Sequence, residues 1–381
     1  MILQRYDRTK PVLMKYPVLY FPLLFIIACK PVDVKKEKQA IQAQMELVRE
    51  AHLQKDAQKF YAPNAERWLD VRHGMVEELE IAGIIPSTQL YLDSMEFLEL
   101  SERQEPIIEL SEDGTLASYI GCITVRGMLG DTPVYWPVSW QSVLRKQEGE
   151  WKIISTANTE ADSRASVGIL LSRVRAELGI TGERQLHSVY AMAECTGPER
   201  AFQTLVMSRD SAGRLEQIYG DGHSVLYHGP ATSWSYDVNS QSLNEPLDPE
   251  ITTSIVAHEM HWLSLLPETR YSDPVYQGIE DFNGQRAFAI EMKNALDRQV
   301  RFYYSFETYR PLGFRYQTTD DPGQYLEVVY GNWSAIDGVE LFRSATLRHG
   351  DEVFTYHFTD IRVNELEEAV DSREALIPTA G

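Results

Sequence analysis

Apolar positions along this chain change their period twice, and each change predicts a different kind of element. Ile41, Met45, Val48 and His52 recur at intervals of four, three and four, the single stripe of a 3.6-residue period, which predicts a helix. Pro63 ends that region. Residues 75–84 are read as a second helix, stopped before Pro86. From about Gln89 the period shortens. Apolar runs at 107–110, 117–128, 134–146 and 151–157 alternate with turn residues, Ser111-Glu112-Asp113-Gly114, Gly130-Asp131 and Glu148-Gly149. Asp-Gly between two such runs is a hairpin signal. This half therefore reads as helices followed by an antiparallel meander.

Residues 159–164 are polar and aperiodic, so a domain boundary is placed there. Val167, Leu170, Leu171, Val174 and Leu178 then form another helical stripe, ended by Gly179. The remainder is almost entirely strand-like, with runs at 187–193, 201–208, 215–219, 224–228 and 233–238. A helix is expected at 251–266, ended by Pro267, before strands resume at 276–282, 286–292, 299–306, 313–318, 324–333, 339–347 and 353–363. The expected second domain, residues 165–366, is thus a long antiparallel meander interrupted by one helix. Residues 367–381 form a tail expected to fray.

The N-terminal segment has a pattern of its own. Arg5, Arg8, Lys10 and Lys15 precede an uncharged stretch over residues 18–28, which closes on Ile26-Ile27-Ala28-Cys29. Basic, then apolar, then small residues is the order of a secretory signal. The stretch is too short to span a bilayer, which takes about twenty apolar residues. It resembles a bacterial lipoprotein signal. That resemblance implies that residues 1–28 are removed and that Cys29 is acylated, with membrane attachment through the lipidated cysteine. Residues 29–38 then read as a tether. Lys30 is not the aspartate that retains many such lipoproteins at the inner membrane, so the resemblance points to the outer membrane, facing the periplasm.

Charge narrows the partners. The formal charge of the 381 residues is −20, and removing a segment with four basic residues and one acidic residue leaves about −23. So acidic a chain argues against nucleic acid and against broad contact with anionic lipid headgroups. Apolar content of 43% and aromatic content of 10% suffice for a packed core. An exported chain permits a disulfide between Cys122 and Cys195; their placement in different expected domains favours free thiols.

Two family resemblances follow from the residues. The helix over 36–55, the run from Ser111 to Ala117, Ser139-Trp140-Gln141-Ser142-Val143-Leu144-Arg145-Lys146 and the closing Glu148-Gly149-Glu150-Trp151-Lys152-Ile153-Ile154 resemble the nuclear-transport-factor-two-like (SnoaL-like) superfamily. The likeness implies, over residues 39–160, a cone-like curved antiparallel sheet closed by helices around a pocket. Phe282-Asn283-Gly284-Gln285-Arg286-Ala287-Phe288, the segment 303–312, Ile336-Asp337-Gly338-Val339 and the run from Tyr356 to Asn364 resemble the lipoprotein carrier (LolA/LolB-like) superfamily. That likeness implies an antiparallel half-open β-barrel with a helix. The expected class is α+β throughout.

Candidate chemistry is sparse. His258-Glu259-Met260-His261 lacks the spacing of the zinc protease helix, whose histidines are four apart. His223 and His228, five apart, point to opposite faces of a strand. No nucleophile elbow, phosphate loop or dinucleotide fingerprint occurs, so neither metal nor cofactor is expected. Asp70 and His73 are the candidate acid–base pair. Trp68, Tyr119, Trp136 and Trp140 are candidate pocket residues in the first domain; Tyr303, Phe314 and Tyr316 are candidates for an apolar trough in the second. The expected function is binding of a hydrophobic ligand, or of a partner's apolar segment, at the bacterial cell envelope. The alternatives are an enzyme performing proton transfer or hydration in the first pocket, and a non-catalytic scaffold subunit of an envelope complex.

Overall fold

The computed structural model describes residues 32–182, 184–209, 212–253, 255, 262, 265–317 and 325–365. Among these residues the protein is mostly sheet, with few helices, and each of its two sheets is open at both edges.

Helix α1 (Val34–Leu53) starts at Asp33, whose carboxylate accepts the Lys36 N–H at 3.1 Å. A short α2 (Ala57–Tyr61) leads into β1 (Asn64–Arg72), β2 (Met75–Glu80), α3 (Ile81–Ser94), β3 (Met95–Glu102), β4 (Ile107–Leu110), β5 (Leu116–Leu129), β6 (Thr132–Gln147) and β7 (Glu150–Glu160). The strand order is β2-β1-β7-β6-β5-β3, with β4 also on β5. The β1–β7 contact is parallel. The expected helix over 75–84 is corrected. Met75–Glu80 is a mostly exposed edge strand, paired with β1 through the His73-Gly74 turn. Its Met, Glu and Leu residues favour helix, but cross-strand pairing overrides that weak preference. The helix begins instead at Ile81 and runs through Pro86 in its second turn.

Ile41 and Met45 of α1 cover Trp68, Tyr119, Leu144, Trp151 and Ile153 of this sheet. Glu37, one turn earlier, accepts from Lys146 at 2.6 Å and from the Trp151 indole at 2.8 Å. Those two bonds fix the position of α1 on the sheet and hold the Glu37 carboxyl below its ordinary range.

Helix α4 (Ser163–Glu177) follows, capped by Asp162. It ends at Gly179, whose φ of +73° suits glycine, and where a Cβ would run into the Gly338 carbonyl. The second sheet comprises β8 (Ser188–Thr196), β9 (Ala201–Arg209), β10 (Ala212–Ile218), β11 (His223–His228), β12 (Ser233–Asp237), β13 (Ser242–Asn244), β14 (Ser272–Phe282), β15 (Gln285–Lys293), β16 (Gln299–Ser305), β17 (Pro311–Gln317), β18 (Tyr325–Ile336), β19 (Val339–His349) and β20 (Glu352–Val363). Its order is β13-β12-β11-β10-β9-β8-β20-β19-β18-β17-β16-β15-β14. The chain therefore walks outward from β8 to one edge. It then crosses to the opposite edge at β14 and walks back until β20 pairs with β8. In the crossover, residues 249–253, 255 and 262 are helical; 256–261, which carry the His258–His261 cluster, lie outside the described residues.

One face of this sheet carries the main core of the described residues. Val167, Leu170, Leu171 and Val174 of α4, together with Trp262, meet Phe288, Phe302, Phe314, Phe342 and their neighbours in one continuous core. On the other face charges alternate: Glu327 holds Arg315 at 2.7 Å and Arg348 at 2.8 Å, and Arg301 bridges Glu280 and Glu291.

The two sheets are joined by a buried polar cluster. The Glu99 carboxylate of β3 accepts from Ser101 and Tyr309 at 2.6 Å each and pairs with Arg126 at 3.3 Å and Arg173 at 2.9 Å. Arg126 of β5 also donates to the Phe306 carbonyl and, at 2.8 Å, to the Glu307 carbonyl. Burial would push the Glu99 carboxyl up. The hydrogen bonds and the two arginines outweigh it and hold the group below its ordinary range. Tyr135 of β6 extends the joint, edge-on to Phe288 at 4.9 Å and to Tyr276 at 6.0 Å.

Candidate functional site

Alternation along β1 sends Trp68 and Asp70 inward, while Leu69 faces solvent. Inward here means toward a cavity of about 400 Å³ roofed by helices. His52 at the end of α1, Phe60 and Tyr61 of α2, and Ile84, Thr88 and Tyr91 of α3 complete its wall. Ser87 and Thr88 of α3, just after Pro86, also line the cavity. The Tyr61 hydroxyl is 3.1 Å from the Thr88 hydroxyl. The Trp68 indole donates to Thr156 at 3.2 Å.

Asp70 is the polar centre of this space. It is 2% exposed, its Oδ2 lies 2.8 Å from the Arg72 guanidinium, and its Oδ1 is buried without a hydrogen-bond partner. Burial pushes its carboxyl above the ordinary range, and Arg72 only partly opposes that. His52 shares the cavity. Its Nδ1 is 3.1 Å from the Val48 carbonyl, which can only accept, so Nδ1 carries the proton and Nε2 of the neutral ring is an acceptor. Burial holds this imidazole below its ordinary range, against the Val48 hydrogen bond.

The structure separates the expected Asp70–His73 pair. His73 is exposed in the β1–β2 turn at φ +49° and lines a different cleft with Asn158 and Glu160. Asp70 pairs instead with Arg72, because residues two apart on a strand share a face. Of the aromatic candidates, Trp68 lines the cavity. Tyr119 is core, with Trp140 tilted over it at 6.1 Å, and Trp136 packs against the Met95–Val125–Val134 cluster. Phe60, Tyr61, Ile84, Thr88 and Tyr91 are wall residues that sequence reasoning missed, as is His52, legible only as the fourth member of α1's stripe. Its signal was a polar ring on an otherwise apolar face.

In the second sheet Phe314 and Tyr316 are buried in the main core, while Tyr303 is on the opposite face, stacked on Phe282 at 4.2 Å beneath Arg315. Alternation thus splits the three residues expected to line one trough. The space lined by Trp262, Leu266 and Val189 measures about 30 Å³, room for roughly one water. Cys122 and Cys195 are free thiols, and burial pushes the Cys195 thiol up to about 12. His223 is 3.1 Å from Glu216. Among the described residues no group of three metal-ligating side chains occurs, and no helix is long and apolar enough to cross a membrane.

No protein-family model matches the sequence, and comparison with curated proteins gives no match. Among solved structures, a LolA superfamily protein from Nitrosomonas europaea matches at 13% identity and a TM-score of 0.41, covering 57% of this chain and all of its own. A DUF1329 family protein from Desulfovibrio piger matches at 12% and 0.41 over the same shares. An NTF2-like protein from Cytophaga hutchinsonii matches at 14% and 0.28, covering 32% of this chain and 98% of its own. Both families named by the sequence resemblances, the nuclear-transport-factor-two-like and the LolA-like, are therefore among the matches.

Proposed function

We propose that this is a two-domain lipoprotein of the bacterial envelope, anchored through acylated Cys29, whose first-sheet cavity binds a compact apolar molecule carrying one neutral polar group. One observation carries the reading: a carboxyl group that is 2% exposed and has an unpartnered oxygen stands in an aromatic-walled space of about 400 Å³. Ligand sites of that size combine apolar walls with a few convergent polar groups. An unmatched buried oxygen is costly, and a ligand hydroxyl donating to it relieves that cost. The acidic chain disfavours an anionic ligand. The sequence expectation of a hydrophobic ligand is kept, but its seat moves from the second sheet, whose described aromatic residues pack against α4 and Trp262, to the first.

The test is native mass spectrometry of the full chain extracted from membranes. A small hydrophobic adduct is expected on the unaltered protein and is expected to be reduced in Thr88→Trp, which narrows the cavity, and in Asp70→Asn; an adduct unchanged in both variants refutes this seat. Palmitate labelling that is lost in Cys29→Ser is the separate expectation for the anchor.

A second reading, an enzyme of proton transfer, is favoured by one feature: an acid raised by burial and a neutral imidazole share the cavity. It expects the co-purified ligand to take up deuterium at carbon in heavy water, and to stop doing so in His52→Gln.

A further inference from the structure

Three hairpin turns, at residues 197–200, 219–222 and 350–351, meet at one end of the second sheet, far along the chain from the cavity above. Between them is an open cleft of about 270 Å³. Phe202, Tyr219 and Phe354 form its aromatic walls, with Phe202 5.9 Å from Tyr219 and 6.4 Å from Phe354, ring centre to ring centre. All three rings are half-buried, so their faces are held in place while still reachable. Tyr219 is fixed further by its hydroxyl, which donates to Gln217 at 2.9 Å.

A cation already occupies one of these faces. The Arg200 guanidinium lies 4.1 Å from the Tyr219 ring centre. The rim also carries Glu199 and Glu352, both exposed, and neither makes an ion pair among the described residues. Two unpaired carboxylates beside one arginine leave the cleft negative overall, in a chain of net charge −20. Aromatic faces with nearby carboxylates and no free cationic group are the chemistry that selects organic cations over neutral or anionic molecules.

We propose that this cleft is a binding site for an organic ammonium group, and that Arg200 is its resident competitor. The incoming cation takes the Tyr219 face and draws on Glu199 and Glu352. The Arg200 side chain, on an exposed turn, swings off to solvent. No bond is made or broken in the exchange.

The test titrates choline, and its uncharged isostere 3,3-dimethyl-1-butanol, into the full chain, read by chemical-shift changes or calorimetry. Choline is expected to bind with a Kd on the order of millimolar, as suits a partly solvated cation–π contact. The isostere is expected to bind at least about fivefold more weakly. Arg200→Ala removes the competitor and is expected to tighten choline binding by roughly two- to fivefold. Tyr219→Leu and Glu199→Gln/Glu352→Gln are each expected to weaken it. Equal affinity for choline and the isostere, or choline binding unchanged in both Arg200→Ala and Tyr219→Leu, overturns the proposal. Arg200→Ala and the two glutamate changes alter exposed side chains, so they keep the test decisive even if Tyr219→Leu fails to fold.

Discussion

Against the second sheet, Trp262 stacks on Phe342 at 4.4 Å and Phe342 stacks on Tyr330 at 4.3 Å, and the gap beside Trp262 holds about one water. Against the first sheet, Phe60, Tyr61 and Trp68 stand around some 400 Å³. Aromatic content is high in both places, so the number of rings does not decide which sheet holds a cavity. The covering element decides it. Helix α4 lays an apolar stripe directly on its sheet, whereas α3 presents Ser87, Thr88 and Tyr91, and α1 ends its stripe on the half-buried ring of His52. A cover that ends in polar side chains holds back from the sheet, and the sheet's own polar residue, Asp70, remains unmatched beneath it.

The contrast makes truncation costly in the second core. Phe342→Ala, at a fully buried position, should lose about 3–5 kcal/mol in denaturant unfolding, with no gain of ligand in the first cavity. A loss below about 1 kcal/mol would mean that the second core has slack. Next is the joint between the sheets. Glu99→Ala strands Arg126 among buried carbonyls and should cost about 3 kcal/mol, showing as separated unfolding transitions for the two sheets.

A smaller effect, with a definite sign, belongs to Asp70. Its folded-state pKa lies above its unfolded one, so the folded chain holds this proton more tightly. The resulting stability is fully present below about pH 3.9 and is lost as pH rises through the folded value. Asp70→Asn cannot lose it. Relative to the unaltered protein, the variant should therefore gain stability between pH 4 and pH 8, and a flat difference across that range would show that the carboxyl is well solvated. The smallest effect is expected at Arg67→Ala: Arg67 pairs with Glu78 across the open hairpin, both are exposed, and the change should stay within about 0.5 kcal/mol.

Much of this arrangement is legible in the residues. Gly114 of the Asp113-Gly114 turn, Gly130 and Gly149 mark the hairpins of β4 to β7 because each has a positive φ that few other residues adopt, and the runs between them follow. The stripe of α4 is equally plain. Residues 75–80 mislead because an exposed edge strand needs no apolar face, leaving helix-forming side chains as the only local signal. The pairing of β20 with β8, more than 150 residues apart, leaves no local trace. Asp70 is visible as a candidate, but the residues of β1 show no strand signal in the sequence analysis, and it is that strand's two-residue period that pairs Asp70 with Arg72 and not with His73. The trough expected around Tyr303, Phe314 and Tyr316 fails for the same reason: one of the three has the opposite parity along its strand.

The wiring of the second sheet bears on how the protein is made. Its central seam joins the first strand of the sheet to leave the ribosome to the last. Until Val363 has emerged, β8 has a bare edge, and so does every returning strand in its turn. A chain folding during synthesis would carry that unpaired edge from the completion of β8 until β20 has emerged, and truncation even a few residues into β20 would leave it exposed for good.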